Sequence, residues 1–202
     1  TQMHPNREPP GLSVLGQMIY DVDSDVTIAV DEVTGVWAYA LQADTWTAKA
    51  FTPAGNPWPR FYDPVSGLVI ATGDDGDPYT LGPELWSYEV ETDTWTPIRQ
   101  ANRLAVEPWK YAYDASVDRL VAYDAGGRSG GARTWLFDLR TGTWSGTSAV
   151  TPEFSYGWWG TQPAIAYDEA AERTVMAGQG RSVAYDATAD RWETLFETAS
   201  ED

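Results

Sequence analysis

Three aspartates at alternate positions, Asp21, Asp23 and Asp25, with Glu32 downstream, follow the ligand spacing of a calcium loop. Hard carboxylate oxygens at that spacing could hold a divalent cation. The sixth position of such a loop calls for glycine in a sharp turn, and here it is Val26. A tighter cluster, Asp74-Asp75-Gly76-Asp77, is the better candidate, with Asp74, Asp75 and Asp77 as ligands and a solvated acidic turn as the plain alternative. Softer metals are excluded. The chain has no cysteine and a single histidine, His4, so thiolate and imidazole sites for zinc or copper cannot be assembled. A Ser-His-Asp triad would need His4 to reach a site from the far N-terminus, and cysteine nucleophiles are absent. Thirty acidic residues offer many pairs for glycoside chemistry, but no spacing marks any one pair. No cofactor is expected.

Aromatic residues beside isolated charges form the other set of candidates. Pro57-Trp58-Pro59-Arg60, Pro108-Trp109-Lys110-Tyr111 and Tyr156-Gly157-Trp158-Trp159 each place indole or phenol rings near polar groups, and Tyr79 follows the Asp74 cluster. Ring planes next to a few charges suit sugars or peptide side chains. Trp58 and Trp109 each precede an aspartate by five residues. That regularity gives them a structural alternative, as wedges at the start of a strand. Trp158-Trp159 breaks the pattern and is the stronger binding candidate.

The elements behind these candidates repeat. Trp46, Trp95, Trp144 and Trp192 are spaced 49, 49 and 48 residues apart, and nine residues before them stand Trp37, Trp86, Trp135 and Val183. Each pair brackets an alternating strand, a four-residue polar turn and a second strand, as in LWSYEVETDTWT. Upstream, Tyr-Asp recurs at Tyr20-Asp21, Tyr62-Asp63, Tyr113-Asp114 and Tyr167-Asp168, followed by a short turn and an apolar strand. An aspartate there can accept backbone amides two residues on, which explains its recurrence without any function. One repeat is therefore four short antiparallel strands, a to d, and no segment reads as a helix. The seven strand Trps are expected in the core. A four-stranded sheet at this period buries both faces by stacking on its neighbours about an axis, which is the β-propeller solution. The expected fold is all-β, with blades near 17–50, 59–98, 110–148 and 163–197, a Pro-rich arm at 1–16 and a tail at 198–202.

The pieces AYDASVDRLVAYDAGG and TWLFDLRTGTW resemble the kelch repeat, and the similarity spans residues 17–197. The double glycine of that repeat is kept only at Gly126-Gly127. Resemblance to kelch proteins implies six or seven blades in a ring, so three arrangements stay open: a closed four-bladed ring, a larger ring with further blades, or completion by another subunit. Galactose oxidase, an enzyme with kelch blades, needs histidines and a cysteine-linked tyrosine for its copper, so its chemistry is excluded here. Other kelch proteins act on sugars as isomerases or lyases.

Loop lengths divide the two ends of a blade. The c–d turn is constant in all four repeats, and the a–b turn is similarly short. From the Tyr of Tyr-Asp to the strand c position, across the b–c loop, the spacing runs 17, 24, 22 and 16. From the strand d Trp to the next Tyr it runs 16, 18 and 23. Insertions confined to one end mark a binding face. A formal charge of −17 repels phosphate backbones and anionic membranes, and no apolar run is long enough to span a bilayer. The expected role is a non-catalytic binding or scaffolding module, extracellular or at the cell surface, with a protein or glycan partner. Its rival is a sugar-modifying isomerase, lyase or hydrolase without copper. The ligand-binding candidates are Trp58, Arg60, Tyr79, Trp109, Lys110, Tyr111, Trp158 and Trp159.

Overall fold

The structure is a computed structural model that describes residues 17–31, 35–50, 52, 58–73, 83–104, 106, 108, 110–126, 131–154 and 163–198. These residues form sixteen strands and no helix. The first blade is β1 (Gln17–Asp21), β2 (Val26–Asp31), β3 (Gly35–Ala40) and β4 (Thr45–Ala48). The second is β5 (Trp58–Asp63), β6 (Leu68–Gly73), β7 (Glu84–Glu89) and β8 (Thr94–Pro97). The third is β9 (Lys110–Asp114), β10 (Arg119–Asp124), β11 (Arg133–Asp138) and β12 (Thr143–Gly146). The fourth is β13 (Ala164–Asp168), β14 (Arg173–Gly178), β15 (Arg181–Asp186) and β16 (Arg191–Glu197). Each blade is an antiparallel meander in chain order, the four-bladed β-propeller class expected from the repeat.

The chain divides into two compact units, residues 1–99 and 100–202, with two blades in each. Alternation along a strand sends successive side chains to opposite faces, so every blade has a front and a rear. In the first unit, Ile28, Val30, Val36 and Ala38 on the front of blade one pack against Val69, Tyr88 and Val90 on the rear of blade two. In the second unit, Met176 and Val183 on the rear of blade four meet Tyr123 and Phe154, with Trp192 at the margin.

All four Tyr-Asp aspartates act as turn formers. Asp21 Oδ1 accepts the amides of Asp23 and Ser24 at 3.0 and 3.1 Å, and Asp168 Oδ1 accepts those of Ala170 and Ala171. Asp63 takes the Val65 amide and the Ser66 hydroxyl, while Asp114 takes both groups of Ser116. The calcium-like run at Asp21, Asp23 and Asp25 is thus a hairpin, and among the described residues no cluster of three metal-ligating side chains forms. Asp63 is buried, so Asp63→Ala leaves the Val65 amide without its acceptor. Its expected cost is about 1–2 kcal/mol, read as a shift of the urea midpoint.

A second device closes the same hairpins. Five residues after the hairpin tyrosine stands a residue with positive φ: Asp25, Gly67, Asp118 and Glu172 in the a–b turns, and Asp44, Asp93 and Asp190 in the c–d turns. In the third c–d turn Phe137 takes the place of tyrosine, and Gly142 follows at φ 67°. Where tyrosine and aspartate are both present, the phenol donates to the carboxylate. These bonds are Tyr20–Asp25 at 2.6 Å, Tyr39–Asp44 at 2.7 Å, Tyr88–Asp93 at 2.6 Å, Tyr113–Asp118 at 2.7 Å and Tyr185–Asp190 at 2.8 Å. Aspartate tolerates the left-handed conformation because its short polar chain bonds locally.

The strand Trps lie less deep than the sequence indicates. Trp144 is buried, whereas Trp37, Trp46, Trp86, Trp95, Trp135 and Trp192 are half-buried. Strand d is an edge strand with a neighbour on one side only, so its indole keeps a bare flank. Each strand d Trp leans on the ring of strand c, with centroids 4.7–5.1 Å apart. Trp144 is covered further because Gln100 and Asn102 fold over it, Gln100 Oε1 accepting from Trp144 Nε1 at 2.7 Å.

Candidate functional site

Meander order places the a–b and c–d turns at one end of each blade and the b–c loop and strand d exit at the other. The hairpin end is occupied by the Tyr–Asp and Asp–amide bonds above. It also fastens neighbouring blades. Asp93 accepts the Ala50 amide through both oxygens at 2.9 and 3.0 Å, and Asp190 accepts the Ser148 amide and hydroxyl at 2.8 and 2.6 Å.

The loop end holds the candidates. Arg60 on β5 is half-buried, with Nε donating to Thr72 Oγ1 at 2.6 Å on the adjacent strand. Lys110 opens β9 half-buried, while Tyr111 is only 7 % exposed. Trp58 opens β5, its backbone paired with Thr72. Tyr79, Trp109, Trp158, Trp159, Asp74, Asp75 and Asp77 lie outside the described residues. Arg60 and Lys110 belong to different units and are not brought together by either.

A group that sequence reasoning missed stands at this end of the second unit. The Arg181 guanidinium lies 4.9 Å from the centre of the Phe154 ring, and its buried Nε has no hydrogen-bond partner. Tyr123 meets Phe154 edge-on at 6.1 Å. The Tyr123 hydroxyl donates to Pro152 O and accepts the Phe154 amide, both at 3.2 Å, and so pins the start of the segment leading to Trp158. Burial raises the Tyr123 pKa, with Asp124 adding to the rise and the Phe154 amide and Arg181 opposing it. The hydroxyl stays protonated. Below it, Asp124 Oδ1 accepts the Gly126 amide at 2.9 Å in the b–c loop. A Cβ at Gly126 would lie 2.2 Å from Gly131 O, so only glycine lets the two sides of that loop close. In blade four the same loop shrinks to Gln179-Gly180, both at positive φ, as a two-residue hairpin requires. Phe154 and Tyr123 are buried, 4 % and 1 % exposed, so the three groups form a contact between blades three and four that anchors the chain just before the segment carrying Trp158. The one available sequence signal was Phe154, an aromatic outside the repeat.

One buried carboxylate at the hairpin end has a structural role. Asp114 joins blade three to blade four, with Thr174 Oγ1 donating to Oδ2 at 3.4 Å. Burial raises its pKa, and bonds from Ser116, Thr174 and Val117 only partly offset this. Its folded pKa therefore exceeds the unfolded 3.8, and the ionised form is penalised in the fold. The penalty is complete above the folded pKa and disappears as pH falls through it toward 3.8. Asp114→Asn keeps the acceptor for Ser116 and should melt above wild type at neutral pH. That gap should close as the pH is lowered. A variant less stable than wild type at every pH would mean the charge itself is needed.

No known sequence family matches the chain, and no characterised protein matches it by sequence. Solved structures do match in fold. The protein of the structure titled "Structure of YjhT" is 16 % identical with a TM-score of 0.59, over 97 % of this chain and 69 % of that one. A chain of a nidogen/laminin complex is 14 % identical at TM-score 0.58, over 90 % of this chain and 62 % of that one. A GH74 xyloglucanase from Xanthomonas campestris is 15 % identical at TM-score 0.57, over 89 % of this chain and 30 % of that one. The chain thus spans about two thirds or less of the structures it resembles. At this identity the likeness defines the class, a β-propeller, and nothing finer.

Proposed function

We propose that this chain is a kelch-type propeller module that recognises a protein or glycan through the loop end of its blades, without catalysing a reaction. The observation that carries this reading is the division between the blade ends. Turns at the hairpin end are uniform and committed to internal bonds, while every change of length and every non-repeating aromatic falls at the loop end. The buried Arg181–Phe154–Tyr123 contact supports it by anchoring Phe154, which leads directly into the segment carrying Trp158 and Trp159. Charge bears on the partner as well. A surface at −17 favours neutral or basic ligands over nucleic acid. Such a module fits an extracellular or cell-surface setting. The nidogen/laminin neighbour belongs to a protein complex and the xyloglucanase neighbour is an enzyme, so kinship of fold allows both readings. Glycan and protein arrays probed with the labelled chain test the proposal. A selective hit with no change in the ligand supports it, and turnover of a bound sugar replaces it with the enzymatic reading.

A further inference from the structure

Three c–d turns each hold a segment from beyond their own blade, and they do so with different chemistry. Asp93 and Asp190 sit in the second and fourth of these turns at φ 53° and 46°, both half-buried. Asp93 accepts the Tyr88 phenol at 2.6 Å and the Ala50 amide at 2.9 and 3.0 Å, where the chain leaves blade one. Asp190 accepts the Tyr185 phenol at 2.8 Å and both the amide and the hydroxyl of Ser148, where the chain leaves blade three. In the third turn Gly142 stands where the others have aspartate. There Gly142 O accepts the Ala101 amide at 2.7 Å, and the Asn102 carboxamide donates to Trp144 O at 2.9 Å and accepts the Trp144 amide at 2.8 Å.

Each of these partners donates to the carboxylate. An ionised carboxylate only accepts, whereas a protonated one turns its own O–H toward groups that are themselves donors. Charge-assisted bonds are about twice as strong as neutral ones, so proton uptake weakens the clasp. Gly142 O and the Asn102 carboxamide do not titrate.

The two carboxylates face different charges. Lys49 lies on the segment held by Asp93, its Nζ donating to Val90 O at 3.2 Å, and Glu89 and Glu91 stand in the same hairpin. The segment held by Asp190 carries no charge from Thr147 to Pro152. Asp186 and Arg191 flank that turn, and the buried Asp114 of blade three acts on the Tyr185 phenol. Burial raises the pKa of both phenols, with Asp93 and Asp190 adding to the rise, so both remain donors. Burial also pushes the Asp190 carboxyl up, but the Ser148 hydroxyl and amide, the Tyr185 phenol and the Ala149 amide outweigh it and hold the group below 3.8. Its contribution to stability is therefore present above 3.8 and is lost as pH falls through the lower folded value. Asp114, whose pKa is raised, takes up its proton earlier in the same descent.

We infer that these clasps are an acid-sensitive release built into the fold: protonation of Asp93 and Asp190 frees Ala50 and Ser148 from the turns they cross, while the neutral clasp at Gly142 holds. Each freed segment runs on into a connection between blades, toward Trp58 in the first case and Trp158 in the second. Acid thus loosens the near ends of two connections before it unfolds the sheets, whose backbone ladders do not titrate. The release acts inside each unit and does not depend on the binding role proposed above.

Amide hydrogen exchange of the isotope-labelled 202-residue chain, read residue by residue by NMR from neutral pH down to about 2, tests the inference. Protection factors, which remove the intrinsic pH dependence of exchange, should fall by about tenfold or more at Ala50 and Ser148, while Ala101, Trp144 and the strand amides keep theirs. At neutral pH, Asp190→Asn should lower protection at Ser148 by a similar factor and leave Ala50 unchanged, and Asp93→Asn should do the converse. Asparagine tolerates the left-handed turn and keeps an acceptor for the phenol, but turns an amide donor toward the neighbouring N–H. The pH series on unaltered protein does not depend on how either variant folds. Ala50 and Ser148 still protected at the acid end would overturn the inference, as would loss of protection at Ala101 and the strand amides in the same step. An Asp190→Asn chain in which Ser148 stays protected would overturn it equally.

Discussion

Replacing Trp144 with alanine should cost about 3–5 kcal/mol of folding stability. The indole is 3 % exposed, its ring lies 4.7 Å from that of Phe137, and its Nε1 donates to Gln100. Truncation removes the ring, opens a void beside Phe137 and leaves Gln100 Oε1 without its donor. The backbone bonds from Asn102 to Trp144 would survive, so the local chain cannot collapse far to fill the space. Trp95→Ala should cost visibly less, although the repeat makes the two residues equivalent. Trp95 is half-buried and its Nε1 has no hydrogen bond to lose. Guanidinium unfolding of both variants checks the order, and equal losses would mean that strand d indoles contribute alike whatever covers them.

The second large effect concerns binding. Trp158→Ala combined with Trp159→Ala should weaken ligand binding by about 2 kcal/mol or more while leaving the melting temperature close to wild type. Both residues fall outside the repeat, so no blade depends on them for its register. They follow Phe154, whose amide is held by the Tyr123 hydroxyl and whose ring faces Arg181. Tryptophan is among the residues that carry binding energy disproportionate to their number. A double variant that lost stability as well as affinity would make these Trps structural wedges.

The blades were legible because their markers are local. Trp spacing located strands c and d, and Tyr-Asp located the turn after strand a, since each acts within a few residues of chain. The left-handed hairpin position was present but unread: aspartate, glycine and glutamate alternate there, and only the shared requirement for positive φ unites them. Depth of burial was not legible for the strand Trps, because it depends on what lies beyond the edge strand rather than on the strand. Arg181 escaped notice for a similar reason. Its partner Phe154 is remote in sequence, and the two meet only because blade four stacks on blade three. Among the binding candidates, Tyr111 follows the half-buried Lys110 in the chain but is itself buried, a difference of depth between adjacent strand residues that the sequence does not display.

The most direct test of a loop-end binding surface is amide hydrogen exchange of the chain with and without an array-identified ligand. The account predicts new protection around Phe154, Arg181 and the segment carrying Trp158 and Trp159, with the Glu91–Thr94 turn unchanged. Protection at Glu91–Thr94, with the Trp158 segment exchanging as before, would contradict it.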